Sequence, residues 1–151
     1  MRSWVLRRPV RRSRSGRYQL HLSSDERQLL RSLPEQLNAV LEEGDASVRR
    51  LFPPAYADDP EREAEYQGLM REDLLSRRRA AHEIMARTID ASDLDVEELN
   101  AWLATLNDFR LVLGTRLDVR EDDMGDDTPA YALYHYLTYL EEVVVEALAG
   151  G

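Results

Sequence analysis

Between Glu61 and Leu148 apolar side chains return every three or four residues, in three long runs broken by two polar stretches. That spacing is the helical period; a half-buried strand would alternate every second residue instead. It predicts helices over residues 61–89, 96–117 and 129–148. The first has a seam of Tyr66, Met70, Leu74, Ala81, Ile84, Met85 and Thr88. Asp73 and Arg77 fall close to this seam and stand four apart, the spacing of a helical ion pair. "DASDLD" (90–95) and the acidic "REDDMGDDT" (120–128) read as loops. Asp95 with Glu98 has capping-box spacing, and Thr128-Pro129 is a good helix start. The last helix is expected to bury Leu133, Tyr136, Leu137, Leu140, Val144 and Leu148.

The middle run contains the most constrained stretch, "LNDFRLVLGTRLDV" (106–119). On a helical wheel Leu99, Leu103, Leu113 and Leu117 lie within about 60° of Leu106, and so does Arg110. Asn107 and Gly114 sit along one flank. A guanidinium on an apolar face must be paired, because an isolated buried charge is very costly. The sequence nominates Asp73 as its partner across the helices and Asn107 as a local one. Gly114 costs about 1 kcal/mol against alanine within a helix, so it predicts close approach of another element, the last helix being the candidate. Two readings of Asp73, Asn107 and Arg110 stay open: a salt bridge that specifies the core, or a polar pocket for a ligand or partner.

Ahead of these runs, "SSDERQLLRSLPEQLNAVLEEGD" (23–45) carries a helical stripe of Leu30, Leu33, Leu37, Val40 and Leu41. Ser23 and Glu26 have capping-box spacing. Pro34 predicts a kink or a split, and Gly44 a stop. "LFPPAYADDP" (51–60) is a loop by its prolines. The first 22 residues differ in kind. "WVLRRPV" (4–10) and "RYQLHL" (17–22) alternate like strands, and "RSRSG" between them makes a turn, so a β-hairpin is expected. Pro9 confines its first strand to an edge. Trp4, Leu6, Leu20 and Leu22 are expected to seat it on the helices. The predicted fold is mainly α: one domain over 1–151, with an arginine-rich hairpin at 1–22 and a four- to five-helix bundle at 23–149.

Charge divides the chain along the same line. Residues 1–18 hold seven arginines and no acid, while the other 133 residues hold 13 arginines and 29 acids, for a net −9 overall. Arg7, Arg8, Arg11, Arg12, Arg14 and Arg17 are therefore candidate contacts to an acidic protein partner or to nucleic-acid phosphates. The competing reading is a solvated hairpin drawn to its own acidic body. A winged helix-turn-helix would normally place such a hairpin after its recognition helix; here it comes first, no helix is strongly basic, and DNA binding is the weaker reading.

Chemistry leaves little trace. The chain has no cysteine, which excludes disulfides, thiolate metal sites and thiol redox switching within these residues. His21, His82 and His135 are far apart and form no HExxH or HxxxH pair, so surface or hydrogen-bonded histidines are expected. Glu-x-x-His and Glu-x-x-Glu spacings are missing, as are the EF-hand, Walker, GxGxxG and GxSxG patterns. No catalytic, metal or cofactor residue is assigned, and the chain is read as a non-enzyme. It contains neither a membrane-length apolar run nor a signal-peptide core, which suggests a cytoplasmic location.

Several of these stretches also carry a resemblance. The arginine-rich strand start, "LSSDERQLLRSLPEQL", "AWLATLNDFRLVLGTRLDV" and "YALYHYLTYLEEVVVEAL" together resemble an actinobacterial domain-of-unknown-function family that includes oxidative-stress transcription regulators of the AosR type. The resemblance spans nearly the whole chain, and L-N-D-x-R-L-x-L-G-T-R-L is its most specific part. It implies a small cytoplasmic regulator that contacts a sigma factor or RNA polymerase, not an enzyme. The redox mechanism of that family uses a CxxxC cysteine pair. None of its residues carries over to this cysteine-free chain.

Overall fold

The computed structural model describes residues 8–43, 55–56, 58–119 and 129–150. They form a small antiparallel sheet, β1 (Val10–Arg12), β2 (Tyr18–Leu20) and β3 (Asp93–Leu94), and five helices. The helices are α1 (Ser24–Arg31), α2 (Leu33–Glu43), α3 (Pro60–Thr88), α4 (Val96–Val119) and α5 (Pro129–Leu148). The protein is mainly α, as the periodicity predicts. No described helix is long and apolar enough to cross a membrane.

The local signals act where the sequence places them. Ser23 Oγ accepts from Glu26 N at 3.1 Å and Glu26 Oε1 accepts from Ser23 N at 2.9 Å, closing the capping box of α1. Asp95 and Glu98 make the same reciprocal pair at the start of α4. The segment before Pro34 splits: Ser32 N donates to Leu29 O, and the ladder restarts with Gln36 N donating to Ser32 O. Proline has no N–H to give, so the break falls in the turn that would have needed it. Gly44 and the loops at 51–54 and 120–128 lie outside the described residues, as do Trp4, Leu6 and Arg7.

Two expectations are corrected here. The first strand begins at Val10, and "DASDLD" is not simply a loop, because Asp93 and Leu94 pair with Gln19 and Tyr18. A strand of two residues is too short to show any alternation. The sheet order is β1-β2-β3, with Val10 opposite Leu20. Gly16 supplies the left-handed φ of 87° that the hairpin turn requires.

One main core joins sheet and helices: Val10, Tyr18, Leu20, Leu30, Leu33, Met85, Leu94, Leu99, Trp102, Leu106, Leu137, Leu140 and Val144 all belong to it. Trp102 is fully enclosed and its indole N–H donates to Thr88 Oγ1 at 2.7 Å. A smaller cluster, Leu37, Leu41 and Val112 with Leu74 and Leu75 against it, ties α2, α3 and α4 together. Polar side chains stitch distant segments. Arg27 on α1 donates to Ile89 O and Ala91 O, catching the chain as it leaves α3. Tyr136 on α5 donates to Glu26 Oε2 at 2.7 Å. Burial, then the neighbouring Glu26 carboxylate, pushes the Tyr136 phenol far above its ordinary pKa.

The seam of α3 is buried only in its C-terminal part. His82, Met85 and Thr88 are enclosed, whereas Met70 is 37% exposed and Leu69 78%. Between Pro60 and Asp73 no residue is buried and only Glu63, Tyr66 and Gln67 are half-buried. At 1.5 Å per residue this 29-residue helix is about 43 Å long, longer than the core it serves.

Candidate interaction surface

The hairpin sorts its arginines into two kinds. At its base, Arg8 Nη1 sits 2.7 Å from Glu146 Oε2 of α5, and at the end of its turn Arg17 Nη2 sits 2.9 Å from Asp93 Oδ1. The Asp93 carboxylate, by hydrogen bond and then by charge, raises the Arg17 guanidinium pKa further. Arg11 and Arg12 on β1 and Arg14 in the turn are exposed and form no ion pair with a described residue. Ser13 Oγ donates to Arg17 O at 3.0 Å, and Ser13 N donates to the same carbonyl at 2.7 Å, so the turn that presents Arg14 is held in shape. The structure thus describes five of the six candidate arginines, two anchored (Arg8, Arg17) and three outward (Arg11, Arg12, Arg14); Arg7 lies outside the described residues.

The polar group around Arg110 assembles differently from the sequence expectation. Arg110 Nε lies 2.5 Å from Glu141 Oε2 on α5, with the two side chains 28% and 13% exposed. The N–H does not point along the line to that oxygen, so the contact is an ion pair and not an aligned hydrogen bond. Arg110 Nη2 also donates to Asn107 Oδ1, at 3.4 Å, and the guanidinium lies 5.9 Å from the centre of the Tyr134 ring. Burial raises the Glu141 pKa, the Arg110 charge pulls it partly back, and Asp108 pushes it up again. Asp73 takes no part. It pairs with Arg77 one turn along α3 at 3.1 Å, both exposed, because that stretch of α3 is not buried. A helical wheel gives the face on which a charge sits but not which neighbouring helix meets it. Gly114 is buried on α4. Beside Arg110 an open depression of about 420 Å³ is lined by Thr138, Glu141, Glu142, Val145 and Glu146.

A second polar network went unforeseen. His82 is fully buried, with Nε2 3.0 Å from Asp108 Oδ2 and Nδ1 2.9 Å from Asn38 Oδ1. Arg78 Nη1 closes on the other oxygen of Asp108, whose side chain is 3% exposed. Helices α2, α3 and α4 each contribute, and each group of the buried pair meets a partner, as burial of charge requires. The signal was present but indirect. Arg78 and His82 stand four apart, in line with buried Met85, and Asp108 follows Ala101 and Thr105 and precedes Val112 at helical spacing. Reading α4 as a helix with one apolar face conceals this second stripe. His82 therefore satisfies the hydrogen-bonded expectation from the core and not from the surface. Among the described residues no cluster of histidine, aspartate and glutamate could hold a metal ion.

Comparison with known proteins adds the family. The family described as Domain of unknown function (DUF2017) matches residues 7–148. The oxidative stress regulator AosR of Mycobacterium tuberculosis and that of Mycobacterium bovis are each 28% identical over 131 residues, covering 72% of this chain and 60% of the relative. The putative oxidative stress regulator AosR of Mycobacterium leprae is 29% identical over 128 residues, covering 69% of this chain and 58% of the relative. The chain thus spans about 60% of the length of the curated relatives it matches. No solved structure matches it. With the match running from the hairpin through α5, this chain belongs to the DUF2017 family.

Proposed function

We propose that this protein is a non-enzymatic regulator of transcription in the cytoplasm, and that it works by protein–protein contact with a sigma factor or RNA polymerase. The observation that carries this reading is the set of outward arginines on the hairpin. Arg11, Arg12 and Arg14 are left exposed and unpaired by the described residues, while Arg8 and Arg17 are satisfied by the protein's own acids. Exposed positive charge beside an acidic body steers encounter with an acidic partner surface and discriminates against basic ones. The relatives named oxidative stress regulators support a regulatory role. Without cysteine, any oxidative signal reaches these residues by a route other than their own thiols.

The experiment is affinity purification of the full chain from its native host, with and without oxidant, beside an Arg11→Glu/Arg14→Glu variant. Recovery of polymerase or a sigma factor by the natural protein and its loss in the variant is the expected result. Recovery of neither protein in either condition overturns the proposal. Direct DNA binding by the hairpin is the second reading, favoured by the same three arginines. Its affinity would fall linearly in log salt, and absence of duplex binding at low salt eliminates it. A small-ligand site at Arg110 is less well supported, because the depression there is open and its guanidinium already contacts Glu141.

A further inference from the structure

We infer that Ser15, in the turn of the hairpin, is an acceptor for an arginine-directed protein kinase, and that a phosphate there cancels the charge of the outward arginines. The inference deepens the proposed function and rests on its reading of those arginines as a contact surface.

Sequence and structure select this hydroxyl independently. In "VRRSRSGR" (10–17) Ser15 has arginine one, three and four residues before it and two residues after. Arginine clustered ahead of the acceptor is the charge pattern that an acidic substrate groove reads. Ser13 lacks it at the third position, where buried Val10 stands. Hydrogen bonding separates the two serines further. Ser13 is half-buried and its hydroxyl donates to Arg17 O at 3.0 Å. The proton between the serines therefore belongs to Ser15, which donates to Ser13 Oγ at 2.8 Å. Ser15 is exposed and otherwise meets only Arg17 N, at 3.5 Å, among the described residues.

A kinase takes its substrate as extended chain, and the turn can supply it. From Arg11 to Arg17 no side chain is apolar. Freeing residues 12–16 breaks the bonds from Ser13 N and Ser13 Oγ to Arg17 O and from Gly16 N to Ser13 O, and uncovers no core. Such local opening needs far less free energy than global unfolding. In the transfer, Ser15 Oγ bonds to the γ-phosphorus of ATP, the bond from that phosphorus to ADP breaks, and the hydroxyl proton passes to the kinase's catalytic aspartate. The ester oxygen no longer donates to Ser13, but the bond from Ser13 to Arg17 O that shapes the turn has no part in the reaction. The phosphate adds a charge of about −2 near neutral pH, so the three unpaired charges of Arg11, Arg12 and Arg14 fall to a net of roughly +1.

The test treats the full chain with ATP and the catalytic subunit of cyclic-AMP-dependent protein kinase, an arginine-directed enzyme. Binding to poly-L-glutamate at low salt is measured before and after. A single phosphate is expected, mapped to Ser15 by mass spectrometry, absent from Ser15→Ala and added several-fold more slowly to Arg12→Ala. The phosphorylated chain should bind polyglutamate several-fold more weakly, and phosphatase treatment should restore binding. No phosphate, phosphate on Ser13 instead, or a rate indifferent to Arg12→Ala overturns the proposal and leaves the contact reading untouched. Undiminished polyglutamate binding by the phosphorylated chain also overturns it. An unmodified chain with no affinity for polyglutamate fails the contact reading itself, and the proposed switch falls with it.

Discussion

Asp108 is the residue on which most depends and the one least visible in advance. Its carboxylate answers two cationic or hydrogen-bonding groups at once, Arg78 and His82, in a place nearly closed to water. Removing one partner of a buried pair leaves the other uncompensated and typically costs about 3–5 kcal/mol. Asp108→Ala is therefore expected to lose roughly that much stability in urea unfolding. Asp73→Ala, which breaks only the exposed pair with Arg77, should change it by less than about 1 kcal/mol. Similar losses from both would show that the network is not the load the geometry implies. Glu141 makes a second prediction at this scale. Its folded-state pKa is raised, chiefly by burial, so the folded form holds a proton to higher pH than the unfolded chain does. Stability should then fall with rising pH between about pH 4, the ordinary carboxylate range, and the raised value. Glu141→Gln should flatten that part of the profile. Comparing the two slopes separates Glu141 from Asp90, whose carboxyl Arg31 pulls down and whose effect has the opposite sign. An unchanged slope in Glu141→Gln would disprove the assignment.

At the scale of elements, the sequence was most legible where one physical rule decided the outcome. Caps at Ser23 and Asp95, the break before Pro34, and the long periodic runs all act locally, and the helices follow. What escaped depends on neighbours. β3 exists because β2 lies beside it, and Glu141 is the partner of Arg110 because α5 crosses α4 there. Helix α4 contacts α2, α3 and α5, so both its leucine stripe and its Ala101–Thr105–Asp108–Val112 stripe are buried. A helix enclosed on several sides cannot be read as having one apolar face. Gly68 offers a check on the exposed part of α3. A Cβ added there meets no atom within 4 Å, and the residue is exposed within a helix. Gly68→Ala should thus stabilise the protein by about 0.5–1 kcal/mol through helix propensity alone. A neutral or destabilising result in chemical denaturation would mean that something packs closely on that face.

Over the whole molecule, the core is displaced toward one end of its longest helix. The sheet, α1, the N-terminal half of α4 and most of α5 converge on Trp102 and Met85, while Leu37, Leu41 and Val112 form the smaller cluster farther along. On α3, His82 stands between Met85 of the first and Leu75 of the second, so the polar network joins the two apolar clusters. Beyond Leu74, toward Pro60, α3 has no buried side chain to lose. Its hydrogen bonds there are protected by the helix itself and by the turn in which Glu63 accepts from Ala55 N and Tyr56 N. Amide exchange measures this difference directly, because local opening of a poorly packed segment needs far less free energy than global unfolding. Amides at 64–72 should exchange through local opening and respond little to low denaturant. Those at 82–88 should open only with the core and share its dependence on denaturant. Asp108→Ala should speed exchange at 82–88 and leave 64–72 almost unchanged, since the network supports only the packed part of the helix. Uniform protection along all of α3 would contradict the displaced core and would mean that the face carrying Leu69 is covered in solution.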